Sequence, residues 1–277
     1  MNAPSHPPFD PPGCPQRDRS RTRSRLLGIA LSVASIASFA ADVDVLAAGA
    51  AKELVTRLQT PFAEASGHRL KATFDTVGAQ RERIEKGERP DAVILSNTAI
   101  ARLGTLGFID PGSIRDVGDV QVGLAVAANA SNAVNATSAA QPDVSTPAAL
   151  RATLLSAKSI AYADPARGAT AGAHFAKVLA ALGIYDQVSA KVTVLPFGVE
   201  VIEAVAAGKY EIGVSQSSEI VQHGGVRYIG ALPVPHRLAT RYQIAALKDR
   251  PVGVLLADFV ATERGKQASR ESGFEVP

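Results

Sequence analysis

From residue 43 onward the apolar positions fall into short blocks whose period keeps changing. Residues 43–48 (VDVLAA) form a compact apolar run that predicts a first buried strand. Leu54, Val55, Leu58 and Phe62 then recur on one helical face. Residues 70–74 alternate as a second strand, and residues 92–95, entered through Pro90 and Asp91, predict a third. Residues 121–127 (QVGLAVA) are long and apolar and read as the crossing from a first lobe to a second. Residues 128–147 are rich in Ala, Asn, Ser and Thr, have little to bury, and predict a surface loop. Next come a short helix, a strand at 159–163 and a helix over 171–182 that turns Phe175, Val178, Leu179 and Leu182 inward. A strand at 192–195, a helix at 199–207 and a strand at 211–215 complete the second lobe. The chain is expected to return to the first lobe between Pro233 and Ile244 and to end in a helix over 252–270. Such alternation predicts an α/β fold with a mostly parallel sheet. No internal repeat or heptad interrupts it.

The start of the chain follows another logic. Residues 17–25 (RDRSRTRSR) are basic, residues 26–37 are apolar, and SFAA follows. This is the three-part pattern of a secretory signal, with cleavage expected after Ala40. The apolar run falls short of the roughly 20 residues a membrane-spanning helix needs. Residues 1–40 therefore read as a signal peptide, and the mature protein as periplasmic. The leader also explains the net charge of +3: it holds five arginines (17, 19, 21, 23 and 25) against Asp10 and Asp18, and the rest of the chain balances. The charge is no sign of nucleic-acid binding. Cys14, the one cysteine, lies in the leader too, which leaves the mature chain no disulfide, thiolate metal site or cysteine nucleophile. Aromatic residues make up 5% with no Trp, which argues against a site built on ring stacking.

The candidate chemistry lies where predicted strands run into helices. Four such junctions carry small or hydroxyl residues: Gly49-Ala50-Ala51, Thr76-Val77-Gly78-Ala79, Gly168-Ala169-Thr170-Ala171-Gly172 and Gln216-Ser217-Ser218. In an open parallel sheet these strand ends share one rim, where ligands bind. The first N–H groups of a helix lack internal acceptors, and the helix dipole adds partial positive charge. Several such openings in one place hold an anion without a lysine. Any one junction taken alone reads first as an ordinary cap or tight turn; four in register point to a site.

The runs IAYADPARGATAGAHFAKVLAALGI (residues 160–184) and EAVAAGKYEIGVSQSSEI (203–220) resemble the second lobe of periplasmic molybdate-binding proteins. VDVLAAGAAKEL and RIEKGERPDAVILS (83–96) resemble the first lobe. The resemblance implies a two-lobed periplasmic binding protein of type II, each lobe a mostly parallel sheet flanked by helices and the two joined by a hinge. It implies residues 41–124 with 238–277 as the first lobe and 125–237 as the second. It also implies the solute-binding component of an ABC importer, which closes on a small anion and delivers it to an inner-membrane permease. In that family a tetrahedral oxyanion meets backbone N–H groups, two serines and a tyrosine. Here the first serine falls at Ala50, the second near Val77 or Gly78, and the tyrosine at Gln216. Losing a donor to a charged ligand costs about 1.5–3 kcal/mol. Thr76, Thr170, Gln216 and Ser217 are candidate replacements, as are Arg81 and Arg167, whose planar fork suits a carboxylate. The ligand stays open between molybdate, another oxyanion and an organic acid.

The expected ligand-binding set is therefore Gly49, Ala50, Thr76, Val77, Gly78, Arg81, Gly168, Ala169, Thr170, Gln216 and Ser217. His174 reads as a surface or cap residue, and Asp164 as a turn residue before Pro165. GVSQSSE lacks the G-x-S-x-G elbow, and no His/Asp pair or metal shell can be assembled. A non-catalytic monomer without cofactor, metal or nucleic-acid partner is expected. A sensory receptor, and less so an enzyme on the same scaffold, are the competing readings.

Overall fold

The computed structural model describes residues 41–129 and 142–276, together with Met1 and Gly13. The expected signal peptide, apart from Met1 and Gly13, and most of the expected 128–147 loop lie outside the described residues.

The first strand, β1 (Asp42–Ala48), runs through a 3-10 turn at Gly49–Ala51 into α1 (Lys52–Ser66). As the spacing predicts, α1 buries Leu54, Val55, Leu58 and Phe62. It stops at Gly67, whose φ of 76° lets its N–H turn back to Ala63 O. Next come β2 (Arg69–Asp75), α2 (Val77–Glu85), β3 (Ala92–Ser96) and α3 (Asn97–Thr105). Thr76 and Ser96 cap the two helices by accepting from Ala79 N and Ala99 N. Buried Gln80 fixes α2 beneath the strand ends by donating from Nε2 to Ala47 O (3.1 Å) and Thr73 O (2.7 Å).

The crossing is a 13-residue strand, β4 (Arg115–Ala127), longer than the apolar run alone predicts. The second half then holds α4 (Pro147–Ser156), β5 (Ile160–Ala163), α5 (Thr170–Ala181), α6 (Tyr185–Val188), β6 (Val192–Leu195), α7 (Gly198–Ala206), β7 (Ile212–Gln216), α8 (Ser217–Val221) and β8 (Val226–Ala231). Pro147 is not loop: it opens α4, where its missing N–H is no loss, behind the Thr146 cap. Chain return is made by β9 (Ala239–Ala246). The expected single C-terminal helix is two, α9 (Pro251–Ala261) and α10 (Glu263–Glu271). Thr262 divides them: its backbone turns extended (ψ 164°) and its hydroxyl accepts from Gly265 N to start the second helix.

The strand order is β2-β1-β3-β9-β4-β7-β5-β6, with β8 also on β4. β1 pairs in parallel with β2 and β3, and β5 with β6 and β7. Each lobe thus has a parallel nucleus, while β4 and β9 run antiparallel to their neighbours. One strand serves both lobes. β4 pairs with β9 as far as Gln121 and with β7 from Val122. One apolar core packs α1, α3 and α9 on the first sheet, around Phe62, Ile94 and Leu256. A second packs α4 and α5 on the other, around Leu154, Tyr162 and Phe175. Val201, Ile202 and Ile220 fill the space under α7 and α8.

Candidate ligand-binding cleft

A cavity of about 150 Å³ lies where the strand ends of the two lobes meet. The first lobe lines it with residues 48–50 at the end of β1 and 74–77 at the end of β2. The second contributes residues 169–171 opening α5, 197–199 opening α7, and Gln216 at the end of β7. Seven expected residues come together here: Gly49, Ala50, Thr76, Val77, Ala169, Thr170 and Gln216.

The other four do not line it. Gly78 and Gly168 press backbone to backbone at its edge, with Gly78 N donating to Gly168 O at 3.2 Å. Arg81 pairs with Glu85 at 3.5 Å along α2. Ser217 accepts from Gln121 N at 3.1 Å and so ties α8 to the crossing strand. Arg167 sits outside the cavity, paired with Asp75 (3.3 Å) and stacked 4.8 Å over the Phe197 ring. His174 meets His236 O at 2.7 Å, away from the cleft, and Asp164 accepts from Ala166 N as a turn residue should.

Three openings at the cavity have no side-chain cap. The residues before Gly49, before α5 and before α7 are Ala48, Ala169 and Phe197, whose side chains offer no acceptor to the first turn. First-turn N–H groups of a helix lack internal acceptors, and the residues carrying them here line the cavity. The α2 opening differs, because Thr76 caps Ala79 N while its hydroxyl donates to Arg167 O across the cleft. Gln216 is the least satisfied polar side chain in the wall. It is 4% exposed, and its amide makes no hydrogen bond of good geometry, only loose approaches to the Glu219 N–H, as in a capping box, and to the Tyr242 hydroxyl. Leaving a buried polar group unpaired costs about 1–3 kcal/mol.

Several wall residues went unread in the sequence. The α7 opening is a fifth strand-to-helix junction, LPFGVE, whose apolar Pro and Phe hide it among core residues. Tyr242 arrives from β9, so a tyrosine does line the cavity although none stands at Gln216. Its burial pushes the phenol well above the ordinary range. Glu219, three residues after Gln216, turns back to the cavity and accepts from the Ser215 hydroxyl. Burial raises its carboxyl, against the opposing pull of bonds from Ser215 and Gln216 N. Lys52 and Asp75 complete the charged groups of the wall. Among the described residues no cluster of His, Cys, Asp and Glu could hold a metal ion, and no helix is long and apolar enough to cross a membrane.

Two α/β lobes sharing a strand, with uncapped helix openings around a cleft between them, define the type II periplasmic binding-protein class. Residues 43–275 match the profile of the bacterial extracellular solute-binding proteins, and the chain belongs to that family, whose members bind solutes for ABC transporters. Over 241 residues it is 25% identical to an aconitate isomerase from Pseudomonas sp, covering 83% of this chain and 86% of that one. The periplasmic molybdate-binding protein of Azotobacter vinelandii superposes with a TM-score of 0.69 at 16% identity, covering 85% of this chain and 99% of that one. The sulfate-binding protein SubI of Mycobacterium tuberculosis H37Rv gives 0.63 at 16% identity, covering 84% and 86%. At these identities the two structures speak for the fold alone.

Proposed function

We propose that this chain is the exported receptor of an importer for a small organic anion bearing carboxylates, which it holds between its lobes and presents, closed, to a permease. The observation that carries this reading is the buried, poorly satisfied Gln216 amide in the same cavity as the α5 and α7 openings, which have no side-chain cap. N–H groups and one amide, with Lys52 nearby, suit a negative guest. Two features favour a carbon skeleton over a bare oxyanion. Phe74, Val77, Phe197 and Val199 give the walls apolar surface. A volume near 150 Å³ is also of the size class that admits a six-carbon ring. The relative named aconitate isomerase supports the same ligand class.

Calorimetry and thermal shift of residues 41–277 against trans-aconitate, citrate, succinate, sulfate and molybdate test the proposal. A di- or tricarboxylate is expected to raise the melting temperature most and to bind one to one. Stabilisation by molybdate or sulfate alone would refute the carboxylate assignment.

One observation favours a second reading. Glu219 is a cavity carboxyl with a raised proton affinity, the property a proton-transfer catalyst needs, and one relative is named as an isomerase. Proton NMR of cis- and trans-aconitate incubated with the protein in heavy water separates the two. A receptor leaves both isomers unchanged and undeuterated.

A further inference from the structure

Glu219 is oddly placed for an anion receptor. No Lys or Arg acts on its carboxyl among the groups that shift it, and it lines the cavity where a negative guest is expected. Its carboxyl is wedged between two openings. A Cβ on Gly49 would come within 2.8 Å of Oε1, and one on Gly198 would collide with Oε2. The space the two glycines leave is thus taken by this side chain. Two protein groups donate to Oε2: the Ser215 hydroxyl and, at 3.4 Å, Gln216 N. Both bonds fall on Oε2, and Oε1 faces Gly49 in the cavity wall.

The surrounding charges do not rescue an ionised form. Tyr242 on β9 is a buried neutral phenol. Lys52 on α1 lies elsewhere in the wall, exposed to solvent. Asp75 at the end of β2 is held by Arg167 and adds negative charge. Of the elements packed on α8, α7 brings Glu200 and Glu203, β8 brings Arg227 and Tyr228, and β4 brings Arg115, Asp116 and Asp119. Arg115 is committed to Asp258, and Asp119 to Arg241. A carboxylate at Glu219 beside a bound anion would set two like charges together in a poorly hydrated space.

Resting on the carboxylate-receptor reading, we propose that Glu219 determines specificity as a neutral carboxylic acid, donating its proton in a hydrogen bond to a ligand carboxylate, so that capture is coupled to proton uptake. Only the protonated receptor completes the site. Burial already raises the proton affinity of the empty cavity's carboxyl, and an anion beside it raises that affinity further. The sign follows from linkage: a group whose proton affinity rises on binding makes binding tightest at low pH. Affinity is full below the carboxyl's pKa in the empty receptor. It then falls by up to about tenfold per pH unit until the pKa of the loaded state is passed.

Titration calorimetry of the mature protein with trans-aconitate between pH 5 and 8, in buffers of different ionisation heat, tests this. The wild type should bind more tightly as pH falls and take up as much as one proton per ligand. Glu219→Gln keeps an N–H donor but cannot titrate, and it shares the ligand's own ionisation. Its pH profile should therefore be flatter than that of the wild type by up to about tenfold in affinity per pH unit. Ser215→Ala removes a donor to the ionised form and should move the wild-type profile to higher pH, which keeps the proposal testable should Glu219→Gln unfold. Equal slopes in wild type and Glu219→Gln, or an unmoved profile in Ser215→Ala, overturn it. If neither protein binds trans-aconitate or citrate at any pH, the ligand reading itself fails and the coupling falls with it.

Discussion

The glycine pair at the cleft edge allows a sharp test of closure. A Cβ on Gly78 would lie 2.6 Å from Gly168 Cα and 3.0 Å from Arg167 O, closer than backbone atoms tolerate. Gly78→Ala must therefore push the α2 opening away from residues 167–168. Two bonds across the cleft would be lost or weakened, Gly78 N to Gly168 O and the Thr76 hydroxyl to Arg167 O. At about 0.5–1.5 kcal/mol each, closure loses about 1–3 kcal/mol. When only the closed state holds ligand tightly, that loss passes directly into affinity, about 5- to 150-fold in Kd. The empty protein should not suffer. Residue 78 is the second residue of α2, and alanine is the better helix former by about 1 kcal/mol. Calorimetry with trans-aconitate and paired melting curves with and without ligand read both quantities. Weakened binding with an unchanged or higher ligand-free melting temperature is expected. A Kd within twofold of wild type, or a destabilised empty protein, would refute the reasoning.

Two further substitutions separate binding from folding. Gln216→Leu removes an amide that makes only loose contacts with the Glu219 N–H and the Tyr242 hydroxyl, so the ligand-free melting temperature should change little while trans-aconitate binding weakens about 10- to 150-fold, as read by the same titration. Gly172→Ala places a methyl against Ala163 O, where α5 crosses the end of β5, and should destabilise the fold by about 1–3 kcal/mol in denaturant melts.

Much of the architecture is legible in the sequence because buried parallel strands and one-sided helices write different periods. β3 and β5 are buried along their whole length and stand out as short apolar runs, and α1 shows its stripe. β8 leaves no comparable trace, since all six residues are only partly buried and the sequence neither alternates cleanly nor stays apolar. The break between α9 and α10 is invisible to periodicity because it depends on a cap at Thr262. Within the cleft, small residues at strand-to-helix junctions mark four of five openings. Tyr242 and Glu219 escape because their role depends on which strand ends up next to which, and on a side chain folding back over its own turn.

The shared strand sets how such a receptor can move. β4 passes from one sheet to the other between Gln121 and Val122 without leaving the extended conformation. Its pairing is irregular on either side of that point, between Asp116 and Gly118 and between Leu124 and Ala125. Irregular pairing marks where a strand bends and twists more readily. The connection between the halves is thus continuous paired strand rather than a slack tether, so any turning of one half against the other is expressed as twist in β4, while its ladder to β9 and β7 stays in place.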